Sequence, residues 1–233
     1  MALTRPPGHH SSQDRAAGFC LYNSVAIAAR QALKSPSIER VLILDLDVHH
    51  GDGTQAIFYE NPSVLTISLH AQELLVSDGA GGKEIGLFPE AGLEDRCGSG
   101  AGLGKNVNVP LRYIPGGYGD QDYLALLEKL VLPVCSEFSP DLVLVAAGFD
   151  CCEGDPSGAG FRISGPGFFG PAMRRLRECL AGGRLCLALE GGYAVEGLCG
   201  GLQACLEAML GESSGRSLLA LDEPRPEVAA TIQ

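Results

Sequence analysis

The chain has 233 residues, 45% of them hydrophobic and 19% charged, a balance that fits one folded domain with a sizeable core and excludes a disordered or fibrous chain. Its 17 basic and 28 acidic residues give a formal charge of -11, which argues against direct nucleic-acid binding, because neutralising phosphates needs clustered Lys and Arg. No run approaches the roughly 18 uncharged apolar residues of a membrane span, and no basic-then-apolar leader is seen. Nine cysteines without CxxC spacing read as free thiols, so nucleus or cytoplasm is the expected location.

The first periodic pattern is helical, with Val25, Ala28, Ala29, Ala32 and Leu33 on one stripe. Apolar runs at 41–46, 64–69, 142–146 and 185–189 read as strands buried on both faces, since near-continuous hydrophobicity is what a parallel strand under helices requires. A weaker strand spans 106–111. The stretch 71–104 is glycine-rich without a steady period and reads as one long loop, of the kind that is functional or mobile. Helical stripes return at Tyr123, Leu127, Leu130, Val131 and Val134, where Pro133 should kink or shorten the helix. Another runs through Val195, Leu198, Cys199, Leu202, Cys205, Leu206 and Met209. Residues 1–211 therefore form one domain and 212–233 a polar tail. Strands alternating with helices predict an α/β fold, a doubly wound and mostly parallel sheet with helices on both faces.

In such a sheet, ligands bind beyond the carboxyl ends of the strands. Asp45, Asp47 and His49 follow one strand and alternate onto one side of an extended segment; Asp150 follows a second strand, and Glu190-Gly191-Gly192-Tyr193 a third. Two carboxylates and an imidazole crowded together call for a cation, and Asp150 could add a ligand while leaving positions for water and a carbonyl. Zinc suits the set, as does iron(II) or another first-row ion. His9 and His10 follow Arg5-Pro6-Pro7-Gly8, which fixes a turn, and Asp45 and Asp52 are free to orient them as proton carriers. Tyr193 could hold an oxyanion or be a core tyrosine. His70 reads as structural.

Arg5-Pro6-Pro7-Gly8-His9-His10, Gly18-Phe19-Cys20, Asp45 through Gly53, Ala147-Gly148-Phe149-Asp150, Gly154-Asp155-Pro156 and Glu190-Gly191-Gly192-Tyr193 resemble, in this order, the class II branch of the histone deacetylase family in the arginase-deacetylase superfamily. The resemblance runs from the start to about Gly211. It implies a zinc ion on Asp47, His49 and Asp150, and catalytic His9 and His10 paired with Asp45 and Asp52. Tyr193 would polarise the acetyl carbonyl. Gly18 would offer its carbonyl to the substrate amide, with Phe19 and Phe88 walling a tunnel. A structural potassium ion is implied near Asp45, Asp47, His49, Ser68 and Leu69.

Three departures stand out. Met1 lies only four residues before Arg5, where the family has further strands and helices, so the expectation is an abbreviated domain whose sheet edge beside the first strand is uncovered. The segment 70–88 is longer than usual. Ser157 stands where polyamine-preferring relatives carry a glutamate. The implied function is zinc-dependent removal of acetyl groups from lysine side chains of histones or other proteins, with corepressor-type partners. The alternatives are an inactive truncated isoform serving as an interaction module, a deacetylase of small acetylated amines, and a dinuclear ureohydrolase.

Overall fold

A computed structural model describes residues 1–76, 83–156, 160–211 and 223–232 of the chain. Helix α1 (Ser24–Ala32) starts where the Asn23 side-chain oxygen accepts the Ala26 N–H at 2.9 Å, and it buries Val25, Ala26 and Ala29. Strand β1 (Val41–Asp45) is buried throughout and leads into α2 (Asp52–Phe58). β2 (Val64–Ala71) is followed by a separate antiparallel ribbon of β3 (Glu73–Val76) and β4 (Lys83–Gly86), after which β5 (Asn106–Leu111) rejoins the main sheet. α3 (Asp120–Leu126) and α4 (Leu132–Phe138) are joined by a π-helical turn at Leu127–Val131. Then come β6 (Leu142–Ala147), α5 (Gly170–Cys179), β7 (Leu185–Leu189), α6 (Val195–Leu210) and α7 (Pro226–Ile232).

The main sheet has five parallel strands in the order β5-β2-β1-β6-β7, so the doubly wound sheet expected from the sequence is the one observed. Alternation along the strands sorts the core into two layers. Leu42, Leu44, Val143 and Val145 pack with Tyr123, Phe168, Phe169 and Leu176, whereas Val41, Ile43 and Leu144 pack with Val25, Ala29 and Phe58. From β1 the chain winds outward to β2 and β5, then crosses back to β6 and β7. The reversal lies between β1 and β6, and a crevice opens beyond the carboxyl ends of those two strands.

Several expectations need correction. β1 is the middle strand, paired with both β2 and β6, so no uncovered edge lies beside it. Chain order does not set order in space once crossovers run both ways from a central strand. The edge nearest the N-terminus is that of β7, where the Ala2 N–H donates to Leu187 O at 2.7 Å and Ala2 O accepts from the Leu189 N–H at 2.9 Å. The stretch 71–104 is not one loop, since it contains the β3–β4 ribbon and a 3-10 turn at Gly100–Gly102. The expected break at Pro133 is a π turn: α3 gives way to Leu127–Val131, and Pro133 sits in the first turn of α4, where its missing N–H is tolerated. Within the expected polar tail, α7 buries Val228, and Arg225 pairs with Asp122. Ser157 lies outside the described residues.

Candidate active site

Asp47 and His49 leave the end of β1 and Asp150 leaves the end of β6, so the strand reversal brings them face to face. One ligand-type atom from each lies within 4.8 Å of the other two. His49 Nδ1 stands 3.0 Å from Asp47 Oδ1 and 2.9 Å from Asp150 Oδ2. Backbone N–H groups hold the carboxylates in place: Val48 donates to Asp150 Oδ1 at 2.8 Å and Gly191 to Asp47 Oδ2 at 2.9 Å. Gly191 has to be glycine, because a Cβ there would lie 2.6 Å from Asp150 Oδ2.

The electrostatics of this group ask for positive charge. Burial, reinforced by the anionic Asp47, pushes the Asp150 carboxyl up to about 7. Burial works against charge on His49 too, yet its hydrogen bonds to Asp150 and Asp47 push the imidazole up to about 10. Two buried carboxylates held by backbone N–H groups and one partly exposed imidazole are a donor set that suits a divalent metal ion. The residues fit a zinc ion.

His9 and His10 lie next to this group with ring centroids 4.0 Å apart. His9 Nδ1 is 3.0 Å from Asp45 Oδ2, and His10 Nδ1 is 2.7 Å from Asp52 Oδ1. Because the carboxylates accept, both Nδ1 atoms carry protons and both Nε2 atoms face other partners. The two rings are tuned in opposite directions. His9 is raised well above its ordinary value, because Asp47 and Asp45 outweigh its burial, while burial lowers His10. Asp45 therefore pairs with His9 and Asp52 with His10, the contacts that the family resemblance implied.

Gly18 adopts φ +51°, and a Cβ on it would lie 2.2 Å from His10 Cδ2 and 2.9 Å from Phe88 Cε1. The Phe88 ring stands edge-on to His10 at 5.0 Å, so the long 70–88 segment still brings Phe88 to the histidines. Phe19, which follows Gly18 in sequence, is 80% exposed. Tyr193 is half exposed at the mouth, and burial together with Asp47 and Asp150 pushes its phenol up to about 12. His70 is structural: its Nε2–H donates to Gly92 O at 3.0 Å, and its Nδ1 accepts from the Ser68 hydroxyl at 2.9 Å. Of the residues expected around potassium, Asp45 and Ser68 are register partners on β1 and β2.

Residue-level reading of the sequence gave three participants no role. Glu190 Oε2 accepts the N–H groups of Gly8 at 2.6 Å and His9 at 3.0 Å, clamping the histidine turn to the end of β7. Asp155 Oδ2 accepts from Tyr193 N at 2.6 Å and Ala194 N at 2.8 Å, holding the turn that presents the phenol. Cys20 Sγ accepts from His10 N at 3.4 Å and donates to Gly18 O at 3.3 Å. Each stood inside a quoted motif, which was the only signal available.

The histone deacetylase domain profile matches residues 1–209. Human histone deacetylase 7 is 46% identical over 215 residues, covering 90% of this chain and 21% of that protein. Human histone deacetylase 9 is 43% identical, covering 90% and 20%. The solved structure of the HDA15 HD domain superposes with a TM-score of 0.82 at 38% identity, covering 98% of this chain and 57% of that one. The chain thus spans about a fifth of the length of the two human relatives.

Proposed function

Because this chain belongs to the histone deacetylase family, we propose that it is a metal-dependent amidohydrolase that removes acetyl groups from lysine side chains of histones or other proteins. The observation that carries the reading is the convergence of Asp47, His49 and Asp150 beside two histidines whose Nδ1 atoms are each anchored to a carboxylate.

Asp47, His49 and Asp150 would hold zinc, which supplies Lewis-acid polarisation and a water of lowered pKa. Everything else is the work of the chain's own groups. His10, neutral near pH 7 because burial lowers it, takes the proton of the attacking water on Nε2, while Asp52 keeps the other nitrogen protonated. The histidine pair then protonates the departing amine, which is far too basic to leave as an anion. The Tyr193 phenol stays protonated at any ordinary pH and donates to the oxygen of the tetrahedral carbon. The Gly18 carbonyl accepts the substrate amide N–H, and Phe19 and Phe88 flank the alkyl chain. Asp45, Asp47, His49, Ser68 and Leu69 would offer a potassium ion the oxygen donors a hard cation takes.

A protein substrate in nucleus or cytoplasm, with corepressor-type partners, completes the proposal. No helix among the described residues is long and apolar enough to cross a membrane. The test is hydrolysis of a fluorogenic acetyl-lysine peptide by the purified chain. Chelator or a hydroxamate should abolish it, and zinc should restore it after chelation. A folded, zinc-loaded chain that leaves the peptide intact would overturn the reading.

A further inference from the structure

A second group of ligand-type side chains lies beside the first and shares no residue with it. One atom each from His9, Cys20 and Glu190 lies within 4.8 Å of the others, and all three side chains are buried. Glu190 has more hydrogen-bonding capacity than its neighbours use. Its Oε2 receives the Gly8 and His9 N–H groups, but its Oε1 is buried with no hydrogen-bond partner among the described residues. A buried carboxylate oxygen with nothing to accept is costly, and a cation or a proton relieves it. His9 spends Nδ1 on Asp45, which leaves Nε2, 3.7 Å from Asp47 Oδ2, as the atom that could ligate. Cys20 adds a sulfur.

An imidazole nitrogen, a thiolate and a carboxylate are a set that zinc and its softer congeners take, at about 2.0–2.3 Å in tetrahedral geometry. Donors around such an ion sit about 3.5 Å apart, so the group needs to close by roughly 1 Å. We propose that His9, Cys20 and Glu190 form a second, inhibitory site for zinc or a similar soft divalent ion. On binding, the Cys20 S–H bond and the His9 Nε2–H bond break, both protons go to solvent, and sulfur–metal and nitrogen–metal bonds form, so the thiolate and the carboxylate together balance the 2+ charge. His9 Nε2 becomes a ligand and can no longer carry a proton. That inhibitory consequence rests on the deacetylase reading, whereas ion binding does not.

The two groups can be told apart spectroscopically, because only the second contains sulfur. The chain is loaded with one equivalent of zinc and titrated with cadmium while the ultraviolet thiolate-to-metal charge-transfer band is followed. The expected result is a band that saturates at one further equivalent, with peptide deacetylation falling in step by at least tenfold. Cys20→Ser, checked for folding by its melting curve, should lose that band even though eight other cysteines remain in the chain. Glu190→Gln retains an oxygen for the Gly8 and His9 N–H groups but drops the anionic ligand, so cadmium affinity should fall at least tenfold. Absence of a saturating band, or its survival undiminished in both variants, overturns the site. A saturating band with unchanged activity overturns the inhibition alone. A chain that shows the band but never deacetylates rejects the functional reading and leaves the site standing.

Discussion

Asp150 and Tyr193 make different demands on the chemistry, and substitution should separate them. If Asp47, His49 and Asp150 hold the metal as proposed, Asp150→Ala removes one of three protein ligands and should lose both metal and activity. Metal analysis after dialysis checks this, and stoichiometric zinc with normal turnover would remove Asp150 from the ligand set. Tyr193→Phe deletes a hydroxyl on a half-exposed ring and should leave fold and metal intact. Its cost should fall on turnover, at about 10²–10³-fold or roughly 3–4 kcal/mol, with substrate affinity little changed. Single-turnover rates and equilibrium binding distinguish these terms, and a rate equal to the parent's would remove Tyr193 from the catalytic group. At this scale the grouping was partly readable, because side-chain alternation puts Asp45, Asp47 and His49 on one side and a neighbouring strand end carries Asp150, while the choice of Asp47, His49 and Asp150 came from the family resemblance. The roles of Glu190 and Asp155 were not readable. Their partners are backbone N–H groups of distant segments, 181 and 182 residues away for Glu190, and no periodicity records such contacts.

Among the elements, α1 carries a sharper test than its length suggests. Asn23 caps the helix through its oxygen, while its amide nitrogen donates to Ser11 O at 3.1 Å and Thr54 Oγ1 at 2.9 Å. Loss of the cap alone costs about 1 kcal/mol. Asn23→Ala also leaves a buried carbonyl and hydroxyl without their donor, which raises the expected loss to about 2–4 kcal/mol. Urea denaturation measures it, and a loss under about 1 kcal/mol would mean that water replaces the amide. β1, β2, β6 and β7 were readable because each is a largely apolar run, whereas β5, an edge strand in which Asn106 and Asn108 alternate with valines, gave only a weak signal. α5 was not readable, since Arg174, Arg175, Arg177 and Glu178 interrupt the stripe of Ala172, Met173 and Leu176 that it buries. The β3–β4 ribbon was hidden by neighbouring glycines that break any alternation.

For the whole molecule, the buried His70 links stability to pH. Burial and the neighbouring His50 lower it to about 3, whereas an unfolded histidine titrates near 6.5. Between those values the unfolded chain binds the extra proton, so the contribution is intact above pH 6.5 and is lost as pH falls. The expected slope from this residue is about 1.4 kcal/mol per pH unit, with His50, also lowered by burial, adding in the same direction. Unfolding free energies at pH 7 and 5.5 should therefore differ less in His70→Gln than in the parent. Equal differences would assign the acid sensitivity elsewhere. Strand order was the part of the architecture the sequence withheld, because chain position cannot say that β1 becomes the centre.

That central position gives the metal group a mechanical meaning. Asp47 and His49 belong to the half that winds outward through β2 and β5, Asp150 to the half that winds through β6 and β7. An ion held by all three, as proposed, would be a rivet through the seam. Its binding free energy is then also cohesion between the halves, and zinc at 1,000 times its dissociation constant should stabilise the fold by about 4 kcal/mol. Amide exchange should show where that cohesion acts, with chelation quickening exchange along β1 and β6 before it reaches the outlying β5. Uniform quickening across all five strands would mean that the sheet holds together without its rivet.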